Sequence, residues 1–574
     1  MSHNLHTDSN KISTKSRIGI LSAFLVFIAF MAIARLFYLQ VLNSESFRED
    51  ANNAYVKDIP TIFDRGDIYM IDKDGTEISL ATTVTGYTLS INPKFITDGE
   101  DVYNKISPFV SLDKTEFLSQ VENKEDPYIE IVRRLDRKAK ENIANLKITG
   151  IVLSPENWRY NPTKEMSAHS IGFTAWKDNS LRGRYGLERY YDEKLQKEDT
   201  VSSVNFFAEI FSNLDVEASA SIANLETTLE PHVESFLHEK LKSVQEEWSA
   251  ESVGGIIINP KTGEILAIEY MPTFDLNEFR SVSSNSTFAN PFVENVFEFG
   301  SVIKPIIVAS AIDTGAITSE TSYFDSGYVT VEDKTIYNFD KKGRGQVTMQ
   351  DVLNQSLNTG MVMTYFKMGR DNFRDYIFSF GLGEKTGIDL PNETVGLLSN
   401  LRSPRDLEYA TASFGQGIAI TPMEAVRGFS VLANGGVLVT PHLGRALVYP
   451  DERVVLEYPA GRRVIKESTS REITRMLVEV VDSSLGNGQY KLEHYSIAAK
   501  TGTAQIPDRV NGGYYGDRNL HSLFGYFPAY DPQFLMLIFV KHPIGAKYAS
   551  QSVAPAFMET ARFLLSYYDV SPDR

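Results

Sequence analysis

The chain has 574 residues, room for three or four domains at about 150 residues each. With 42% hydrophobic and 23% charged residues it can bury a core, so disorder is not the default reading. A net charge of -17 argues against nucleic acid as a partner, since such binding needs Lys and Arg to meet phosphates, and the absence of cysteine excludes disulfides, thiolate catalysis and Cys-based zinc sites.

The first element is apolar. Ile18 to Ala34 carries no charge, and the apolar run resumes after Arg35 to Leu42. As a helix, 18–42 spans roughly 37 Å, enough to cross a bilayer with some tilt. Lys11, Lys15 and Arg17 precede it, so a cytoplasmic N-terminus and an extracytoplasmic remainder are expected. Arg35 lies near the far end, where its side chain can snorkel to the interface beside Tyr38. The rival is a cleaved signal peptide ending at Ala32-Ile33-Ala34, but bulky apolar residues continue past that site. We therefore expect a cytoplasmic tail (1–17), a single uncleaved transmembrane anchor (18–42), a pedestal (43–225) and a catalytic domain (226–574).

In the pedestal, Asp64 to Gly75 reads as a strand and an Asp-Gly turn, and Tyr128 to Leu146 has helix-like apolar spacing. This region carries no catalytic constellation. Beyond Glu226 the spacing predicts a helix over 231–247, then a hairpin of 253–260 and 264–268 around Lys261-Thr262-Gly263. Helices are expected over 349–368, 372–380 and 422–432, strands over 495–506, 521–528 and 534–541, and a closing helix over 552–567. A hairpin first, helices between and a strand meander last imply an α+β fold, an antiparallel sheet flanked by helices.

Chemistry enters through three short motifs known together in serine β-lactamases and penicillin-binding proteins: S-x-x-K, S-x-N and K-T-G. Each alone is weak. Ser-x-x-Lys occurs at Ser111–Lys114 and at Ser301–Lys304, and Lys-Thr-Gly begins at Lys261, Lys385 and Lys500. Context decides between the copies. Ser111 opens a charged stretch, Lys261 sits in a hairpin turn and Lys385 follows a Gly-rich loop. Ser301 follows Gly300, which permits a sharp entry, and opens an apolar run with Pro305 in its first turn. That puts Ser301 at a helix N-terminus with Lys304 on the same face. Lys500 follows Tyr495 to Ala499 within a strand of small residues that continues Thr501-Gly502-Thr503-Ala504, where Gly502 would let a peptide approach an exposed edge. Ser356-Leu357-Asn358 lies between the two, so the order of the set is met. Histidines are scattered, no HExxH, P-loop or GxGxxG signature occurs, and neither metal nor cofactor is expected.

With these motifs in place the sequence resembles class B penicillin-binding proteins, the monofunctional peptidoglycan D,D-transpeptidases. The resemblance covers nearly the whole chain: Arg35 to Gln40, Arg65-Gly66-Asp67-Ile68, Arg159-Tyr160-Asn161-Pro162, Ala168 to Phe173, Gly186-Leu187-Glu188, Phe297 to Ser301, Phe414-Gly415-Gln416-Gly417 and Asn434-Gly435-Gly436. Two positions depart from the family pattern, Ala499 where Gly precedes Lys-Thr-Gly and Phe299 where Pro precedes Gly-Ser.

The resemblance implies that Ser301 attacks a D-Ala-D-Ala bond of a stem peptide and passes the acyl group to a neighbouring amine. Lys304 would be the base, Ser356 the proton shuttle and Asn358 a substrate-amide partner. Lys500, Thr501 and Thr503 would receive the terminal carboxylate, and the N–H groups of Ser301 and Thr503 would form the oxyanion hole. A lysine base must be neutral, and moving its pKa from 10.4 to about 7 takes roughly 4–5 kcal/mol, so Lys304 is expected buried, near Lys500 and close to both Ser301 and Ser356. The resemblance also implies β-lactams as inhibitors and a polytopic membrane glycosyltransferase within a cell-wall synthesis complex as partner. Chain length and the Phe-Glu-Phe-Gly-Ser context lean towards the division rather than the elongation type. A D,D-carboxypeptidase, a β-lactamase and a non-catalytic β-lactam sensor stay open as alternatives.

Overall fold

The computed structural model describes residues 26–31, 35, 65–177, 180–196, 222–508 and 510–574. The expected anchor lies outside the described residues except for 26–31 and Arg35, which are helical. Among the described residues no helix is long and apolar enough to cross a membrane.

The described residues divide into two compact units, one holding 85–156 and the other 65–84 with 157–574. Strand β1 (Ile68–Ile71) pairs antiparallel with the start of β2 (Glu77–Ile91), across the expected Asp72–Gly75 turn. The far end of β2 belongs to the smaller unit. There α1 (Gly99–Ile106), α2 (Lys114–Glu122), β3 (Ile129–Leu135), α3 (Arg137–Asn145) and the first part of β4 (Ile151–Tyr160) enclose Leu89, Ile91, Val102, Ile106, Phe117 and Ile143. The helix expected over 128–146 is therefore a strand and then a helix. Ile129 and Ile131 alternate on β3, which pairs with β2, and Asp136 ends the strand by capping Ala139 N. Ser111–Lys114 sits at the start of α2, where Asp113 caps the helix and Lys114 pairs with Glu100.

In the larger unit β5 (Asn224–Thr227) pairs with β1. After it come α4 (Pro231–Glu247), β6 (Ser252–Ile258), β7 (Ile265–Met271), α5 (Lys304–Asp313), α6 (Met349–Gln355), α7 (Asn358–Met368), α8 (Pro422–Ala433) and α9 (Glu467–Glu479). Strands β8 (Ala498–Pro507), β9 (Tyr514–Phe527) and β10 (Phe534–Lys541) and helix α10 (Ala554–Tyr567) close the chain. The five-stranded sheet has the order β8-β9-β10-β6-β7 with antiparallel pairings, so β8 is an edge strand. Along β10, Leu535, Leu537 and Phe539 enter one core with α5 and α8, while Met536, Ile538 and Val540 enter another with α4 and α10. Both faces are covered, which is why this strand reads as an unbroken apolar run.

Three of the sequence motifs meet in one buried ionic cluster. Glu188 accepts from Arg65 Nε and from Arg159 Nε, each at 2.6 Å, and Arg65 also reaches Asp192 at 2.7 Å. Burial alone would raise the Glu188 pKa, but the two guanidinium groups hold it below the usual carboxylate range. Removing Glu188 leaves the buried Arg159 without its close carboxylate partner, a loss of about 3–5 kcal/mol.

Candidate active site

Gly300, at φ 64°, turns the chain into a 3-10 turn over Gly300–Ile303 that runs directly into α5, with Pro305 in the first turn of the helix. Ser301 stands on that turn, half-buried, and β8 packs against it. The fit is close at two further glycines. A Cβ on Gly502 would lie 2.5 Å from Phe299 O and 2.7 Å from Ser522 Oγ, and one on Gly415 would lie 2.2 Å from Gly300 O. The bare face of Gly502 is thus filled by the turn before Ser301, not held open for a peptide as the sequence suggested.

The helix expected over 349–368 is broken. Ser356 caps α6 in the left-handed conformation, φ 56° and ψ 43°, and α7 restarts at Asn358. The break turns the Ser356 carbonyl, the Ser356 hydroxyl and the Asn358 amide towards α5. Lys304 Nζ lies 2.7 Å from Ser356 O, 3.2 Å from Ser356 Oγ and 2.9 Å from Asn358 Oδ1. Asn358 Nδ2 donates to Tyr337 O at 3.0 Å, which fixes the orientation of the amide. Lys304 is fully buried, and burial together with the nearby Lys500 cation drives its pKa well below the ordinary lysine value. Lys500 is buried as well and is brought down to about 8 by desolvation, with its amine 3.0 Å from Thr501 O.

Ser301, Ser356, Asn358, Thr501 and Thr503 line one cleft of about 690 Å³, with Lys304, Lys500 and Gly502 buried behind its wall. One expected contact differs: among the described residues Ser301 Oγ makes no hydrogen bond to Lys304. The amine is drawn instead to the oxygens of the Ser356–Asn358 turn, which compensate its burial. The other Lys-Thr-Gly copies have structural surroundings. Lys261 pairs with Asp531, and Lys385 O accepts from Arg427.

The sequence left parts of the rim unassigned. Phe339 and Asp340 line the cleft from one side, and Lys547 to Ser550 from another, with the rings of Phe339 and Tyr548 6.2 Å apart and edge-to-face. Phe339, Asp340, Lys547 and Tyr548 lie in loops, and Ala549 and Ser550 in a helix of four residues, too short for periodicity to mark. Phe414 and Gln416, noted only as part of a motif, also line it. Glu298, just before the Gly300 turn, lines a second cleft. Its Oε2 accepts from Gly417 N at 3.1 Å and from Tyr514 OH at 2.9 Å, and burial raises its pKa. In chemical terms the cleft offers a serine on a helix-entry turn, a buried lysine of lowered pKa, a second serine in contact with that lysine and a second lysine on the adjoining edge strand. That inventory suits acyl transfer through a serine ester.

Comparison with known proteins agrees. Residues 253–561 match the family described as penicillin binding protein transpeptidase domain, and 63–210 match the penicillin-binding protein dimerisation domain. The chain is 27% identical to stage V sporulation protein D of Bacillus subtilis, covering 98% of this chain and 87% of that protein. It is 25% identical to the peptidoglycan D,D-transpeptidase FtsI of Escherichia coli, covering 96% and 91%. The fold is similar to the crystal structure of penicillin binding protein 2X from Streptococcus thermophilus, with a TM-score of 0.72 at 20% identity, over 89% of this chain and 81% of that one.

Proposed function

The chain belongs to the penicillin-binding transpeptidase family, and from that premise we infer how its cleft works. It is a peptidoglycan D,D-transpeptidase that cross-links stem peptides and is acylated by β-lactams. The observation that carries the mechanism is the setting of Lys304: a fully buried amine held between Ser356 and Asn358 with a second buried lysine nearby.

Ser301 Oγ attacks the carbonyl carbon of the penultimate D-Ala while its proton passes to neutral Lys304. The N–H groups of Ser301 and Thr503 meet the developing oxyanion. Collapse breaks the C–N bond, and Ser356 relays the proton from Lys304 to the departing amine of the terminal D-Ala. A stem-peptide amine then attacks the Ser301 ester, loses its proton by the same route and frees the serine. Lys500, Thr501 and Thr503 receive the terminal carboxylate of the donor, Asn358 holds its amide, and Gly502 lets β8 seat against the nucleophile's turn.

We read the setting as septal wall synthesis, supported by chain length and by the Phe297–Ser301 context. In the same reading residues 1–17 are cytoplasmic, 18–42 anchor the chain in the plasma membrane, 43–225 form the pedestal and 226–574 the extracytoplasmic enzyme. A polytopic membrane glycosyltransferase is the expected partner of anchor and pedestal.

A fluorescent penicillin should label the protein covalently and stoichiometrically, and Ser301→Ala should abolish the label while the thermal melt is retained. Labelling that survives Ser301→Ala removes the assignment. With a D-Ala-D-Ala peptide and an acceptor amine, transfer should exceed hydrolysis, and hydrolysis alone would indicate a carboxypeptidase.

A further inference from the structure

Thr503, on the cleft side of β8, is held from two directions. It stands directly across from His521 of β9, so the two side chains share a face of the sheet. Its hydroxyl oxygen accepts from Ala549 N at 3.2 Å. Ala549 opens a four-residue helix, Ala549–Ser552, that packs against β8 and β9. The helix ends on Ser552, which is buried and whose Oγ lies 2.8 Å from His521 Nδ1. These contacts form a closed ring that runs from Thr503 through Ala549, Ser552 and His521 and back across the strand pair.

His521 is costly where it stands. It is fully buried, and its Nε2 has no hydrogen-bond partner among the described residues. An apolar side chain would occupy the place without that cost. Burial pushes the pKa of the ring down to about 4, so the imidazole is neutral at neutral pH. What the ring provides is a tether for Ser552, and the effect of the tether reaches Thr503. With the Ala549 N–H on its oxygen, the Thr503 hydroxyl keeps its proton for a partner in the cleft, and a carboxylate is such a partner.

We propose that His521 is a positioning residue for the acyl donor: through Ser552 it seats the Ala549–Ser552 helix, and the Ala549 N–H then orients the Thr503 hydroxyl to donate to the donor's terminal carboxylate. The proposal rests on the transpeptidase reading, in which Thr503 receives that group. His521 itself touches neither the donor nor the reacting atoms.

The test compares acylation of the full chain by penicillin and by penicillin methyl ester, in which the carboxylate charge is lost. Each variant is measured at a temperature where its thermal melt shows it folded. His521→Leu should slow acylation by penicillin about tenfold and leave acylation by the ester within about twofold of the parent rate. His521→Asn, whose amide can stand where Nδ1 stands, should recover most of the penicillin rate. Ser552→Ala cuts the same tether with little change of volume and should reproduce the selective loss, which decides the matter if His521→Leu does not fold. In a Thr503→Val background His521→Leu should add no further loss on penicillin. Equal loss on both reagents, no loss in Ser552→Ala, or losses that add in the double variant overturn the positioning role. A parent protein that penicillin fails to acylate overturns the transpeptidase reading, and the positioning role with it.

Discussion

Lys304 reaches three oxygens, and the chemistry of those oxygens bears on its protonation. A carbonyl and an amide oxygen can only accept, whereas the Ser356 hydroxyl can donate. A neutral amine, with two N–H bonds and one lone pair, satisfies all three. This agrees with the downward shift from burial and from Lys500. Acylation by penicillin should therefore rise with pH along a limb set by Lys304, well below the ordinary lysine value, and fall again near pH 8 as Lys500 loses its charge. A pH–rate profile checks both limbs, and a rate still climbing at pH 10 would contradict the assignment. Lys500 also weighs on stability. Its folded pKa of about 8 lies below the unfolded value, so between about pH 8 and 10.4 the unfolded chain binds more protons and stability increases with pH. Below pH 8 both states carry the charge, and its burial costs about 3 kcal/mol. Lys500→Met should raise stability at pH 7 by about 1–3 kcal/mol while cutting acylation at least about a hundredfold. Calorimetry and a labelling time course test the pair, and a destabilised variant would refute the linkage.

At the scale of elements the broken helix is decisive, and it was not legible in the sequence. Leu353, Leu357, Met361 and Tyr365 keep an apolar period straight through the break, so the pattern predicts one helix. What interrupts it comes from outside. Asn338 Oδ1 accepts from Thr359 N at 3.2 Å, while its Nδ2 donates to Asp325 at 2.9 Å. Thr359 Oγ1 donates to Asp325 at 2.8 Å and lies 2.9 Å from Tyr323 OH. This buried lattice pins the start of α7, and with it Asn358. Asn338→Leu should lower stability by about 1–3 kcal/mol and slow penicillin acylation about tenfold at a temperature where the variant is fully folded. Unchanged acylation in a folded variant would deny the network any part in placing Asn358. Other elements were readable from local signals. Thr262-Gly263 marked the β6–β7 turn, α4 is framed by Pro231 and Glu247 as expected, and β10 matches its predicted ends. β9 begins seven residues before its expected start because Tyr514 to Leu520 is largely exposed and carries no alternation.

On the scale of the whole molecule the reading joins an anchor outside the described residues to an enzyme within them. An N-terminal fluorescent fusion of the full chain should concentrate at the division septum. A chain lacking 1–42 should disperse yet still take up penicillin, because the residues that line the cleft begin at Gly300. Lateral-wall fluorescence would move the protein to the elongation role, and loss of penicillin labelling on truncation would make the anchor part of the catalytic fold. The motif residues were legible individually because the set recurs in a fixed order, but their joining into one cleft depends on backbone contacts that leave no periodic trace. Those contacts bear on drug resistance. Gly415 and Gly502 meet backbone where a side chain would stand, and Gly300 holds a positive φ with Ala504 Cβ 3.0 Å from where its own would be, so a mutation there displaces the nucleophile along with the drug. Phe339, Gln416 and Tyr548 reach the same cleft from side chains on its rim. Under β-lactam selection, change is therefore expected at the doorway rather than the hearth: on the rim, where a bulky drug can be turned away while the slender peptide still passes.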